Sequence, residues 1–170
     1  PQQKMNLKDA MPKKFMTMRA DYYAEFDEIL SEPHSFSDPV QELNASNGRE
    51  GYLEMEGVYR MKGKNSVTWA NTYFHELNAV QELKVDVLEA GEYAVTLRAL
   101  GVPAETLVRF EAGVSSNVCN LVQGKKFHSM GRVRLDHGEQ TFAITLLETS
   151  DLRKVNLMGL YSLSFKKLTY

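Results

Sequence analysis

The sequence has one cysteine, Cys119, and one tryptophan, Trp69, in 170 residues. A single cysteine excludes an intramolecular disulfide and a cysteine-rich metal site. In a β-rich stretch a lone thiol reads as a small buried apolar residue. A chain without disulfides suits the cytosol, and equally many periplasmic and surface proteins. Charge of one sign is also lacking. Twenty basic residues face 22 acidic ones, a formal net charge of −2, which removes the electrostatic case for nucleic acid or an anionic membrane. No apolar run approaches the ~20 residues of a membrane span, and no signal peptide is visible. The chain starts Pro1-Gln2-Gln3 without a methionine, so a leader or an upstream domain is expected to have been removed.

Catalytic motifs are lacking too. There is no Gly-x-Ser-x-Gly elbow and no glycine-rich phosphate loop. The four histidines, His34, His75, His128 and His137, include no two at metal-ligand spacing. His137 sits in a turn and reads as solvated. His75 and Glu76 form only a local pair.

What is present is alternation. The chain is organised around Gln81–Leu100. Leu83, Val85 and Val87 alternate with Lys84, Asp86 and Leu88, and Tyr93, Val95, Leu97 and Ala99 alternate with Ala94, Thr96 and Arg98. A period of two puts the first set of each strand against a core. Glu89-Ala90-Gly91-Glu92 supplies a reversal, so the stretch reads as a hairpin. A second hairpin is expected at Asp136-His137-Gly138, between a strand with Val133 and Leu135 inward and one with Phe142, Ile144 and Leu146 inward. Further strands are expected at Tyr52–Tyr59, Val67–Phe74, Thr106–Glu111, Asn117–Val122 and Val155–Leu168. Eight or so short strands without alternating helices argue against a parallel α/β sheet. They predict an all-β, antiparallel β-sandwich of the jelly-roll kind over residues 51–170. A lipocalin-like barrel is the alternative closure.

Residues 1–50 read as an arm, a short helix and a loop. Tyr22, Tyr23, Phe26, Ile29 and Leu30 recur at helical spacing within residues 18–31, with Asp21 as a cap and Glu32-Pro33 as a stop. The helix either packs on the sandwich end or docks on a neighbouring domain. Asn44-Ala45-Ser46 matches a glycosylation sequon that matters only in a eukaryotic secretory setting.

A soluble sandwich without a catalytic motif favours binding. Sugars are held by aromatic rings that cover the C–H face of a pyranose, with polar groups on the hydroxyls. Trp69, Asn71 and Tyr73 lie in a segment of that composition, and Trp69 is either such a platform or a core residue. Phe127 and His128, beside Gly124-Lys125-Lys126, are a second candidate pair, although Phe127 also reads as the first core residue of its strand. Arg60 is a candidate hydrogen-bond donor. Glu54 and Glu56 share a face if residues 52–59 form one strand. They then either face water or bind Ca²⁺.

Val87-Leu88-Glu89-Ala90-Gly91-Glu92-Tyr93-Ala94-Val95-Thr96-Leu97-Arg98 resembles the reversal of galactose-binding-like β-sandwich modules, in particular family 6 and family 35 carbohydrate-binding modules. Val133–Ile144 and Val155–Leu163 are similar to their later strands, and Tyr52-Leu53-Glu54-Met55-Glu56 to their opening strand. The resemblance implies a non-catalytic carbohydrate-binding module of a glycan-degrading enzyme. It implies a calcium-stabilised jelly roll that binds glycans through loops at one end, beside an adjacent glycoside hydrolase domain. It also implies an extracellular, periplasmic or cell-surface setting in a bacterium. Glu54 and Glu56 would match the calcium carboxylates, Asn156 the ligand-binding asparagine, and Phe127 with Trp69 or Tyr73 the aromatic platforms. The sequence departs from the family at Met158, where the family has Asp, and at Phe127 and His128, where it has Trp. A structural or protein-interaction β-sandwich domain that binds no glycan is the alternative function.

Overall fold

The computed structural model describes residues 11–31, 38–45 and 48–168. The chain divides into two compact units, Pro1–Asp38 and Pro39–Tyr170. The arm at residues 1–10, the stop at Glu32-Pro33, Ser46 of the sequon, and the side chains of Phe26, Ile29 and Leu30 lie outside the described residues.

Among the described residues the first unit contains one helix, α1 (Pro12–Ser31). It begins at Pro12 rather than at residue 18. Proline is tolerated at a first helical position because its missing N–H has no partner there anyway, so Asp21 lies mid-helix and caps nothing. Tyr22 and Tyr23 meet edge to face at 5.7 Å and are 61% and 50% exposed.

The second unit is a two-sheet sandwich. Its strands are β1 (Val40–Leu43), β2 (Glu50–Glu54), β3 (Arg60–Lys62), β4 (Asn65–Val67), β5 (Thr72–Phe74), β6 (Val80–Val87), β7 (Gly91–Leu100), β8 (Thr106–Ala112), β9 (Ser115–Leu121), β10 (Phe127–Leu135), β11 (Gly138–Glu148) and β12 (Gly159–Lys167). One sheet runs β1–β6–β11–β8–β9, with β3 also beside β6. The other runs β10–β7–β12–β5–β4, with β2 also beside β12. Among the described residues the pairings are antiparallel except that of β1 with β6, which is parallel. The all-β sandwich read from the alternation is therefore observed.

The two reversals read as hairpins are not hairpins. β6 pairs with β11 in one sheet, and β7 pairs with β10 and β12 in the other. The reversal at residues 88–90 is thus an arch between sheets, and so is the one at residues 136–137. Both strands of an arch bury the same phase of side chains against the shared core, so their alternation matches that of a hairpin. The core shows this directly. Phe165 on β12 lies 6.4 Å from Tyr93 in its own sheet and 5.6 Å from Phe142 across the sandwich, with Phe110 at 6.4 Å.

Other boundaries also differ. Val40–Leu43, expected as loop, is a strand, so the sandwich takes in chain before residue 51. The strand expected over Tyr52–Tyr59 ends at Glu54, where Met55–Gly57 forms a 3₁₀ turn. The segment Val67–Phe74 is split by a turn at Thr68–Asn71. Before β12 comes a one-turn helix, α2 (Leu152–Val155), whose N–H groups at Arg153 and Lys154 donate to the Asp151 carboxylate. Gly131 marks a bulge in β10. Its φ of +85° is left-handed, and the Asn117 amide donates to the Met130 and Arg132 carbonyls around it.

Candidate functional site: a groove across the outer face of one sheet

Four adjacent strands, β10–β7–β12–β2, present their polar phase to solvent in register. Phe127 lies opposite Arg98, Arg98 opposite Ser162, and Ser162 opposite Glu54. In the next row Ser129 lies opposite Thr96, Thr96 opposite Ser164, and Ser164 opposite Tyr52. These rows form an open groove of about 350 Å³ lined by Tyr52, Thr96, Arg98, Phe127, Ser162 and Ser164, together with Glu50. The two rings stand at its margins, Phe127 64% and Tyr52 59% exposed. Neighbouring strands lie about 4.8 Å apart, so the rings sit on strands about 14 Å apart. The floor between them is hydroxyls and one guanidinium.

The polar groups are held in place. Tyr52 Oη donates to Glu50 Oε2 at 3.0 Å, and that hydrogen bond, with the carboxylate charge, holds the phenol above its ordinary pKa. The Arg98 guanidinium lies 5.2 Å over the Tyr161 ring. A guanidinium over a ring face keeps its N–H donors in its own plane, directed outward past the ring. Because these groups stand on paired strands, the site is preformed.

The residues singled out in the sequence are dispersed. Phe127 is exposed in the groove and is no core residue. His128, one position on, faces the other way, since successive strand residues point to opposite faces. It is 3% exposed, and its Nδ1 accepts from the Val122 N–H at 3.1 Å, so it cannot touch a surface ligand. Burial pushes its imidazole below the ordinary value, against the Ala99 and Lys125 carbonyls, which favour the charged form.

Trp69 is 90% exposed at the β4–β5 reversal, which excludes its reading as core. Asn71, in the same turn, is buried. Its Oδ1 accepts from Thr68 Oγ1 at 2.6 Å, and its backbone carbonyl from the Thr68 N–H at 2.8 Å, so it locks the loop that presents Trp69. Tyr73 is half-buried on β5, opposite Ser66. Arg60 lies on the other sheet. Its guanidinium sits 3.7 Å from the Glu82 carboxylate and 5.2 Å over the Tyr59 ring. Asn156 is exposed after α2, and its Oδ1 accepts from His75 Nδ1 at 3.0 Å.

Glu54 and Glu56 do not share a strand face, because β2 ends between them. Met158 is fully buried where the resemblance places an aspartate. Among the described residues no three His, Cys, Asp or Glu side chains gather as a metal site, so Glu54 and Glu56 are joined by no third such side chain there.

At the loop end a second hollow, of about 410 Å³, is lined by residues that include Gly101, Pro103, Lys125, Lys126, Lys154 and Leu157. No aromatic ring lines it. Sequence reading missed Tyr52, Thr96, Ser162 and Ser164 as site residues. The signal was their shared outward phase with Glu50, Glu54 and Lys166.

No protein-family model and no curated protein matches the sequence. Solved structures do match in three dimensions. A family 6 carbohydrate-binding module from Cellvibrio mixtus lichenase 5A, in complex with cellotriose, has a TM-score of 0.52 at 14% identity, covering 70% of this chain and 98% of that one. The likeness is one of fold. A Podospora anserina GH26-CBM35 β-(1,4)-mannanase gives 0.55 at 12% identity over 71% of this chain and 28% of that chain. The tryptic core of the Bacillus thuringiensis protein Cry1Da gives 0.58 at 12% identity over 81% and 26%. The chain thus spans about a quarter of the length of the mannanase and of the Cry1Da core. The sandwich resembling family 6 and family 35 modules, read from the sequence, has its counterpart in these structures.

Proposed function

We propose that this chain is a carbohydrate-binding accessory module that holds a glycan in the groove of the β10–β7–β12–β2 face. The observation that carries the proposal is the pair of exposed rings, Tyr52 and Phe127, flanking a rigid floor of Thr96, Ser162, Ser164 and Arg98. Rings meet the C–H faces of successive sugars, while hydroxyls and a guanidinium meet their hydroxyl groups. The loop-end hollow, where the family resemblance points, offers no ring to stack on. Trp69 is a separate platform on a different strand pair. A glycan-degrading domain in the same protein and an extracellular or periplasmic setting belong to the same proposal, supported by the partial coverage of the mannanase.

A glycan array on the 170-residue chain, with and without calcium, tests the reading. Tyr52→Ala and Phe127→Ala should each weaken a hit about tenfold or more with thermal unfolding nearly unchanged. Binding lost only with Trp69→Ala would move the site to the β4–β5 reversal. Silence across plant, algal and host glycans would favour the interaction-module reading, for which the exposed Tyr22 and Tyr23 of α1 are the supporting observation. A chain without residues 1–38 should then lose its protein partner.

A further inference from the structure

A second constellation lies away from the groove, on the β4–β5 pair. Ser66 Oγ is 2.7 Å from His75 Nε2, and His75 Nδ1 is 3.0 Å from Asn156 Oδ1. Ser66 stands on β4 and His75 directly follows β5, whereas Asn156 arrives from a loop 81 positions on, after α2. For a neutral imidazole the contacts fit one tautomer. An amide oxygen only accepts, so His75 carries its proton on Nδ1 and donates it to Asn156. Nε2 is then a bare lone pair, and the Ser66 hydroxyl donates to it. This is the tautomer in which imidazole serves as general base to a hydroxyl, with a third group orienting the ring.

Burial does not demand this chain of bonds. Ser66 and His75 are only half-buried and Asn156 is exposed, so water is available to all three. Nor is the site closed to a substrate. β4 is the terminal strand of its sheet. The Thr68 N–H donates to Asn71 and the His75 N–H to Lys64. In an antiparallel ladder that pattern makes Ser66 and Tyr73 a bonded pair and turns the N–H of Val67 off the open edge. The residue after the hydroxyl therefore carries a backbone donor on the side of β4 away from β5, the kind of group that stabilises an oxyanion.

We infer that Ser66 is a nucleophile for carboxylic esters, with His75 as its general base and Asn156 as the residue that positions His75. Ser66 Oγ attacks the ester carbonyl carbon while its proton passes to His75 Nε2. The bond from that carbon to the alcohol oxygen breaks, and the alcohol leaves with the proton from Nε2. Water then attacks the acyl-serine by the same route, releasing the carboxylic acid and restoring the hydroxyl. The inference does not depend on sugar binding, because the alcohol half is left open.

The test uses the whole chain with a fluorophosphonate probe and p-nitrophenyl acetate. Fluorophosphonate should add one phosphonyl group with loss of fluoride, mapped to Ser66 by peptide mass spectrometry. Ser66→Ala should take no label and lose acetate release, and His75→Gln should slow both by about 100-fold or more. Asn156→Ala should slow labelling, while Asn156→Asp, which keeps an oxygen acceptor for Nδ1–H, should restore most of the rate. A purely structural asparagine would show no such rescue. No label on the unaltered chain, label on another residue, or turnover that survives Ser66→Ala would each overturn the inference. Site mapping on the unaltered chain stands even if a variant fails to fold.

Discussion

Phe127 and His128 are neighbours in one strand with opposite environments. Phe127 lies in the groove. His128 is buried as a neutral imidazole whose Nδ1 accepts from Val122. Its folded pKa is depressed below the ordinary 6.5, so below that pH the unfolded chain takes a proton that the folded chain refuses. The stability His128 contributes is complete above about pH 6.5 and is lost as the pH falls toward the folded value. Melting temperature followed between about pH 5 and 8 should show this acid slope. His128→Asn, which keeps an acceptor for Val122, should flatten it; an unchanged slope would mean that another group titrates. Gly131 is the other residue with a specific demand. A Cβ added there would lie 2.9 Å from Asn117 Nδ2, and Asn117 is held by two carbonyls. Gly131→Ala should cost about 1–3 kcal/mol through backbone strain, measured by denaturant unfolding.

At the scale of elements, alternation revealed the strands and concealed their partners. Leu83, Val85 and Val87 in β6, and Tyr93, Val95 and Leu97 in β7, face one core from two sheets, which a period of two cannot tell from one sheet. NMR should find β6 amides and Hα protons close to those of β11, with Leu83 opposite Phe142. A ladder between β6 and β7 would contradict the arch. β1 escaped notice because Val40–Leu43 has four residues, only one of them buried. The split of Val67–Phe74 followed from Thr68 and Asn71, whose side chains satisfy each other locally, an arrangement composition alone does not reveal. The groove was half legible: the outward phase of Thr96 and Arg98 was in the pattern. Their alignment with Ser162, Ser164 and Tyr52 depends on cross-strand register, which no single strand carries.

At the scale of the molecule, Phe165 joins the sheets through Tyr93, Phe110 and Phe142. Phe165→Ala should lower unfolding free energy by about 3–5 kcal/mol. A loss below about 1 kcal/mol would mean that the two aromatic layers do not depend on it. The groove lies on the opposite face of that same sheet, so the fold stabilises the site without lending it core side chains. The rigid face, its two rings and its hydroxyl floor together make the central claim, that this face binds glycan. Isothermal titration of an array-selected oligosaccharide into the unaltered chain, Tyr52→Ala and Phe127→Ala tests it most directly. The account predicts one site per chain, weakened about tenfold or more by either substitution at unchanged melting temperature. Full affinity in both variants would contradict it.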